Sequence, residues 1–222
     1  MKKQVILCIL LVGILLIIDQ WIKLTIKTQF FPGESKPIFG NWFILHYTEN
    51  PGMAFGQTFG SSIWAKLSLS LFRIVAIVLI IRYLIKQIRL GTSIEFLLVV
   101  SLVLAGASGN LFDSMFYDLL FNVDPCISFN HMIGSGNNAF CSSGHFTYAV
   151  ELRHQGFLFG NVVDMFQFNV RWPSWTPLVG GSEVFPAIWN WADACISVGL
   201  IWAIIRQRKF FPKKKNEVKE TD

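Results

Sequence analysis

The sequence predicts an α-helical polytopic membrane protein, with four transmembrane helices and a small extracytoplasmic β-subdomain. Three observations lead there. Of the 222 residues 53% are hydrophobic and the mean hydropathy is +0.48, too apolar for an ordinary soluble domain. Residues 5–21, 63–81, 94–112 and 186–205 form four apolar stretches, each suited to a hydrocarbon core of ~30 Å. The basic residues are also unevenly spread. With a cytoplasmic N-terminus, 12 of the 19 Lys and Arg fall on three short inner segments: 2–3, 82–89 and 206–219. The positive-inside rule then sets both termini in the cytoplasm.

The first stretch begins Met-Lys-Lys like a signal peptide, but runs into Asp19-Gln-Trp-Ile-Lys23 with no small-residue cleavage site. It reads as an uncleaved first helix. Asp19 and Lys23 stand at i, i+4 with the acid first, the favourable ion-pair order, and would anchor its outer end. The outer segment, about 24–62, opens with a Phe-Pro-Gly turn at 31–33, and Trp42-Phe-Ile-Leu-His-Tyr-Thr reads as a strand. A small sheet on the membrane surface follows, broken by Asn50-Pro-Gly52-Met-Ala-Phe-Gly56. The second stretch carries Lys66 and Arg73.

In the third stretch Gly106, Asn110 and Asp113 share one face, and Gly106 and Gly109 permit close helix approach. Asn110 and Asp113 would then sit at the outer mouth of a helix pair. A long outer segment follows. Gly134–138 and 142–144 read as loop, and 157–170 as one or two strands. Cys126 and Cys141 fall in this segment, where an oxidising compartment would permit a bridge, though spacing alone does not establish one. Cys8 and Cys195 read as apolar fillers.

Two aspartates invite chemistry. Asp193 follows Asn190 at i+3, and with a helix starting near Phe185 it would lie roughly 12 Å along the axis. A carboxylate within a membrane helix costs roughly 2.5–3.5 kcal/mol and marks a functional site by default. Pairing with Arg73 or Lys66 is the purely structural alternative. Asp164, in Gly160-Asn-Val-Val-Asp164, lies 29 positions earlier. If the fold brings the two together they share a proton, one acting as base and the other as acid. Neither a Gly-x-Ser-x-Gly elbow nor His-Glu-x-x-His spacing is present, so no serine hydrolase or zincin is expected. No metal or cofactor is expected either. The +5 net charge reads as topology rather than nucleic-acid binding, because the basic tail lacks interleaved aromatics.

Five blocks, Asp19-Gln-Trp-Ile-Lys23, Asn50-Pro-Gly-Met-Ala-Phe-Gly56, Gly106-Ala-Ser-Gly-Asn110-Leu-Phe-Asp113, Gly160-Asn-Val-Val-Asp164 and Asn190-Trp-Ala-Asp193, occur in this order. Together they resemble the lipoprotein signal peptidase (signal peptidase II) family. The resemblance implies a globomycin-sensitive aspartic protease of the bacterial inner membrane, with its active site at the outer face. Its substrate would be a diacylglyceryl-modified prolipoprotein, cut just before the lipidated cysteine. Asp164 and Asp193 would be the catalytic pair. Asn50, Gly52, Asn110, Asp113 and Asn190 would bind or position substrate, with Asp19 and Lys23 in structural support. A monomer contacting membrane lipid is expected. Residues 1–210 would form one protease domain and 211–222 a basic cytoplasmic tail.

The chain departs from the family pattern in four places. Ser114 stands where an Arg commonly follows the aspartate, and Arg153 and Arg171 are the candidates to replace that charge. Met165 and Trp189 each replace a common Phe. The segment at about 114–160 is an insert, read as a lid or partner surface. The competing function is an ion-coupled transporter subunit relaying protons through Asp193.

Overall fold

The computed structural model describes residues 2–52, 62–144 and 146–211. Residues 53–56 of the Asn50 loop, His145 and the tail from residue 212 lie outside them. The elements run α1 (Lys2–Gln29), β1 (Ser35–Phe39), β2 (Phe43–Asn50), α2 (Ile63–Arg89) and α3 (Ile94–Leu120). A 3₁₀ turn (Ser128–Asn130) precedes β3 (Asn137–Ser143) and β4 (Phe146–Leu152). Then come β5 (Val162–Phe168), β6 (Ile188–Trp189), α4 (Trp191–Ile205) and the short α5 (Gln207–Phe210).

Three helices, α1 to α3, are long and apolar enough to cross a membrane, while α4 is apolar but only 15 residues long. Large apolar side chains such as Ile9, Ile17, Phe72, Leu79 and Ile204 face outward. In water that surface would be prohibitive; in lipid it is required. The half of the bundle away from the sheet packs around Cys8, Leu84, Ile88, Leu97 and Leu104. α3 is the central helix and packs on the other three long helices. Its glycines let α4 approach. A Cβ at Gly106 would strike the Ala192 carbonyl and lie 2.7 Å from Ile196 Cγ1; one at Gly109 would lie 2.5 Å from Asp19 Oδ2 and 3.2 Å from Ala192 Cβ. The antiparallel α3–α4 pair is closed at the end far from the sheet by Glu95, which accepts from Trp202 Nε1 (3.0 Å) and Arg206 Nε (2.9 Å).

Above the helices sits an antiparallel sheet of order β1-β2-β5-β6. One face packs Tyr47, Val163 and Met165 onto Ile26 and Tyr117 as a second core. Met165 is fully buried there, so its exchange for Phe alters the core beneath the sheet. The other face is aromatic: Trp189 stands 4.9 Å from Phe166 and 5.7 Å from Phe168, ring to ring. The β2–β5 register is interrupted between Leu45 and Thr48 before it pairs Thr48 with Asp164 and Asn50 with Val162. Such irregularities re-aim side chains beside sites.

Two expectations need correction. The insert is a β-hairpin, β3–β4, in continuous register from Asn137–Leu152 to Ser143–Phe146. Its Gly/Asn/Ser-rich sequence reads as loop because few of its side chains are buried. Cys126 and Cys141 are joined in a disulfide, with Cα atoms 5.0 Å apart, which clips the hairpin to the chain leaving α3. The second correction concerns α4. It starts at Trp191, not near residue 186. Ile188 and Trp189 instead pair with β5 as an edge strand.

Candidate active site

Asp193 therefore lies in the first turn of α4. Asn190 is the N-cap: its Oδ1 accepts from the Asp193 N–H at 2.9 Å. Asp193 Oδ2 accepts in return from the Asn190 N–H at 3.3 Å, a reciprocal capping box. The cap has a second task. Asn190 Nδ2 donates to Asp164 Oδ1 at 2.6 Å. One fully buried asparagine thus holds both aspartates. Asn110 Nδ2 donates to Asp193 Oδ1 at 2.8 Å. Asn50 bonds the Asp164 side chain, and its own Oδ1 accepts from the Gly52 N–H at 2.9 Å. Gly52 needs its positive φ of 105°, and a Cβ there would strike Leu69 of α2.

Asp164 is buried and Asp193 half-buried. Burial first, and then the neighbouring Asp193 charge, push the Asp164 carboxyl up to about 7. Hydrogen bonds from Asn190 and Asn50 oppose that rise by stabilising the anion.

Beneath the pair lies a network built on Lys23. Its ammonium sits 3.0 Å from Asp19 Oδ2 and 2.8 Å from Asp113 Oδ2. It also donates to Asn110 Oδ1 at 3.0 Å, fixing which end of that amide faces Asp193. Asp19 does more than pair with Lys23. Its Oδ1 accepts from the Ala192 N–H at 3.0 Å, an anion at the positive end of α4. Asp113 Oδ2 accepts from the Val163 N–H at 3.4 Å and so ties α3 to β5. Gly160 lies directly on α3, its N–H donating to the Ser114 carbonyl at 3.0 Å.

Asn50, Gly52, Asn110, Asp113, Asp164, Asn190 and Asp193 are all brought to this region, with Asp19 and Lys23 below. Sequence reasoning missed Gln20. Its Nε2 donates to Asp113 Oδ1 at 2.9 Å and its Oε1 accepts from Tyr117 OH at 3.0 Å. The signal was available, since Gln20 lies inside the first block. Neither Arg expected to stand in at position 114 does so. Arg153 makes a two-pronged pair with Asp118 at 2.8 Å and 2.8 Å, and exposed Arg171 faces Glu183 at 3.7 Å. Arg73 of α2 reaches Ser114 instead, its Nη1 donating to Oγ at 2.9 Å. Among the described residues no ion pair within 4.0 Å joins Asp193 to Arg73 or Lys66, the structural alternative for that aspartate. No group of three His, Cys, Asp or Glu suited to a metal occurs among the described residues.

Comparison with known proteins shows the family. The family model for signal peptidase (SPase) II matches residues 11–209. The lipoprotein signal peptidase of Porphyromonas gingivalis is 40% identical over 201 residues, covering 88% of this chain and 80% of the relative. That of Amoebophilus asiaticus is 32% identical over 214 residues, covering 92% and 79%. A bacterial membrane enzyme solved by the in meso method at 2.3 Å resolution shares the fold, with a TM-score of 0.56 at 21% identity over 97% of this chain and 94% of that one. The ion-carrier alternative finds no support among these relatives. The chain belongs to the signal peptidase II family.

Proposed function

We propose that the protein is a membrane aspartic endopeptidase. It removes the signal peptide from diacylglyceryl-modified prolipoproteins, cutting just before the lipidated cysteine. The observation that carries this reading is the single asparagine bridging Asp164 and Asp193, with Asp164 raised to about 7. Below about pH 7 Asp164 then holds a proton beside Asp193. The ionised member takes a proton from water as its oxygen attacks the scissile carbonyl carbon. The protonated member gives its proton to the carbonyl oxygen. Collapse of the tetrahedral diol breaks the C–N bond: the protonated member gives its proton to the leaving amine while the ionised member takes one from a diol hydroxyl, which restores the singly protonated pair and leaves the new carboxyl group. The pair titrates as a unit, so neither role belongs to one residue alone.

Asn110 and Asn190 orient the carboxylates, and the Asn50–Gly52 turn borders the path of an extended peptide. The lipid chains stay in the bilayer between helices. Four spans, both termini cytoplasmic and a site toward the outer face of the bacterial inner membrane fit the distribution of basic residues. A monomer suffices, because every proposed site residue comes from one chain. The test reconstitutes the purified protein with a synthetic lipidated peptide and follows cleavage. Wild type should cut, and globomycin should block it. Asp164→Asn and Asp193→Asn should each abolish cutting while remaining folded. Cleavage that survives either substitution refutes the pair.

A further inference from the structure

Four carboxylates, Asp19, Asp113, Asp164 and Asp193, converge on this region, and Lys23 is committed to Asp19 and Asp113. A second cation is needed near the upper pair. Even with one shared proton, that pair carries a negative charge, and its charge distribution shifts as the carbonyl oxygen develops charge. Among the described residues three other bases approach. Arg153 is held by Asp118, Asn130 and two backbone carbonyls. Lys66 is buried without a hydrogen bond, and the charges that act on it most are Arg73, Arg153, Asp118 and Asp113. Arg73 differs: its electrostatic partners are Asp193, Asp113 and Asp164.

The Arg73–Ser114 bond explains how that side chain is aimed. Ser114 is fully buried, one turn beyond Asn110 on α3, and its Oγ donates to the Asn110 carbonyl at 3.2 Å. It thus offers Arg73 an oxygen acceptor on the helix that carries Asn110. Two residues from different helices form one unit: α2 supplies the guanidinium and α3 its rest. Resting on the protease reading above, we propose that Arg73, held by Ser114, is a positioning residue. Its charge keeps Asp164 and Asp193 in the singly protonated, water-activating arrangement.

The experiment measures cleavage of the lipidated peptide by the purified protein in detergent micelles, with kcat and KM separated. Arg73→Gln should lower kcat about 10²-fold, a loss typical of deleting one preorganised electrostatic group, with KM within about threefold. Arg73→Lys should recover at least tenfold of that loss. The decisive variant moves the charge across the helix interface. Arg73→Leu combined with Ser114→Arg returns a guanidinium to the same space from α3 and should cut at least tenfold faster than Arg73→Leu alone. A merely structural Arg73 would not be rescued this way. The proposal is overturned if Arg73→Gln keeps wild-type kcat, or if the folded double variant is no faster than Arg73→Leu. Wild type, Asp164→Asn and Asp193→Asn run in parallel. If the wild type cuts and both Asn variants do not, the protease reading stands even where the Arg73 proposal falls.

Discussion

Replacing Lys23 with methionine removes the ammonium but keeps most of the side-chain volume. Lys23 is fully buried, as is Asp113, and Asp19 is 2% exposed. The variant leaves both carboxylates in the interior without their base. Breaking a buried ion pair from one side typically costs about 3–5 kcal/mol, because the stranded charge has no water to turn to. Here two are stranded, and Asn110 loses the donor that sets its amide, so the upper end of that range applies. At 2–4 °C per kcal/mol for a chain of this size, about 5 kcal/mol should lower the unfolding midpoint by roughly 10–20 °C. The chain supplies its own probe. Cys8 and Cys195 are buried free thiols, so a thiol-reactive dye reports unfolding in detergent. Adding Asp113→Asn should restore part of the loss, with a coupling of about 1–3 kcal/mol in the double-mutant cycle. A Lys23→Met protein melting within about 1 kcal/mol of wild type, or a cycle with no coupling, would refute the network.

Three further outcomes follow from the same geometry. An acid raised from its ordinary 3.8 to about 7 on folding favours the folded state below 3.8 and loses that contribution as pH rises toward 7. Asp164→Asn, fixed in the neutral form, should therefore melt higher than wild type at pH 8, with the difference gone by pH 4, while cleavage is lost; the same thiol assay across pH reads this. Gly109→Ala pushes a methyl to 2.5 Å from Asp19 Oδ2 and 3.2 Å from Ala192 Cβ, and should cost about 1–3 kcal/mol by overpacking and slow cleavage by shifting α4. Cys126→Ser with Cys141→Ser opens a 15-residue separation whose closure contributes roughly 3 kcal/mol to the hairpin. Limited proteolysis near Gly144 should accelerate, with cleavage of the lipidated peptide unchanged.

Much of this was legible in the chain. α1, α2 and α3 were visible because uninterrupted apolar runs have one stable solution in lipid. α1 and α3 extend past the predicted ends through turns that carry polar residues buried against the sheet side, such as Lys23 and Asp113, whereas α2 runs on through the basic turns at 82–89. The face shared by Gly106, Asn110 and Asp113 was visible from spacing alone. The apolar stretch from residue 186 does not mark the start of α4, because its first residues, Ile188 and Trp189, pair with β5 instead. The stronger signal was Asn190 with Asp193 three residues on, a capping box with Asp in the place of the usual Glu. The sequence offers Arg73 only as an ion partner for Asp193. Its reach to Ser114 depends on how α2 and α3 cross, which periodicity does not encode.

The shortness of α4 is what makes a site out of these residues. From Ile94 to Asn110, α3 climbs roughly 24 Å, and from Lys2 to Asp19, α1 climbs roughly 26 Å. α4 climbs only about 18 Å from Ile205 to Asp193. It therefore stops short of the sheet-side end of α3, which continues about 15 Å past Asn110. A bare helix end at that depth would leave unsatisfied N–H groups in an apolar setting. The chain satisfies them with acceptors: Asp19 takes the Ala192 N–H and Asn190 takes that of Asp193. β6, two residues long and paired with β5 through Phe166–Trp189, delivers Asn190 to that depth beside Asp164. The same groups that cap a truncated helix thus hold two carboxylates under a roof of sheet. A longer fourth helix would carry its capped end past Asn110 and leave the two carboxylates no shared asparagine.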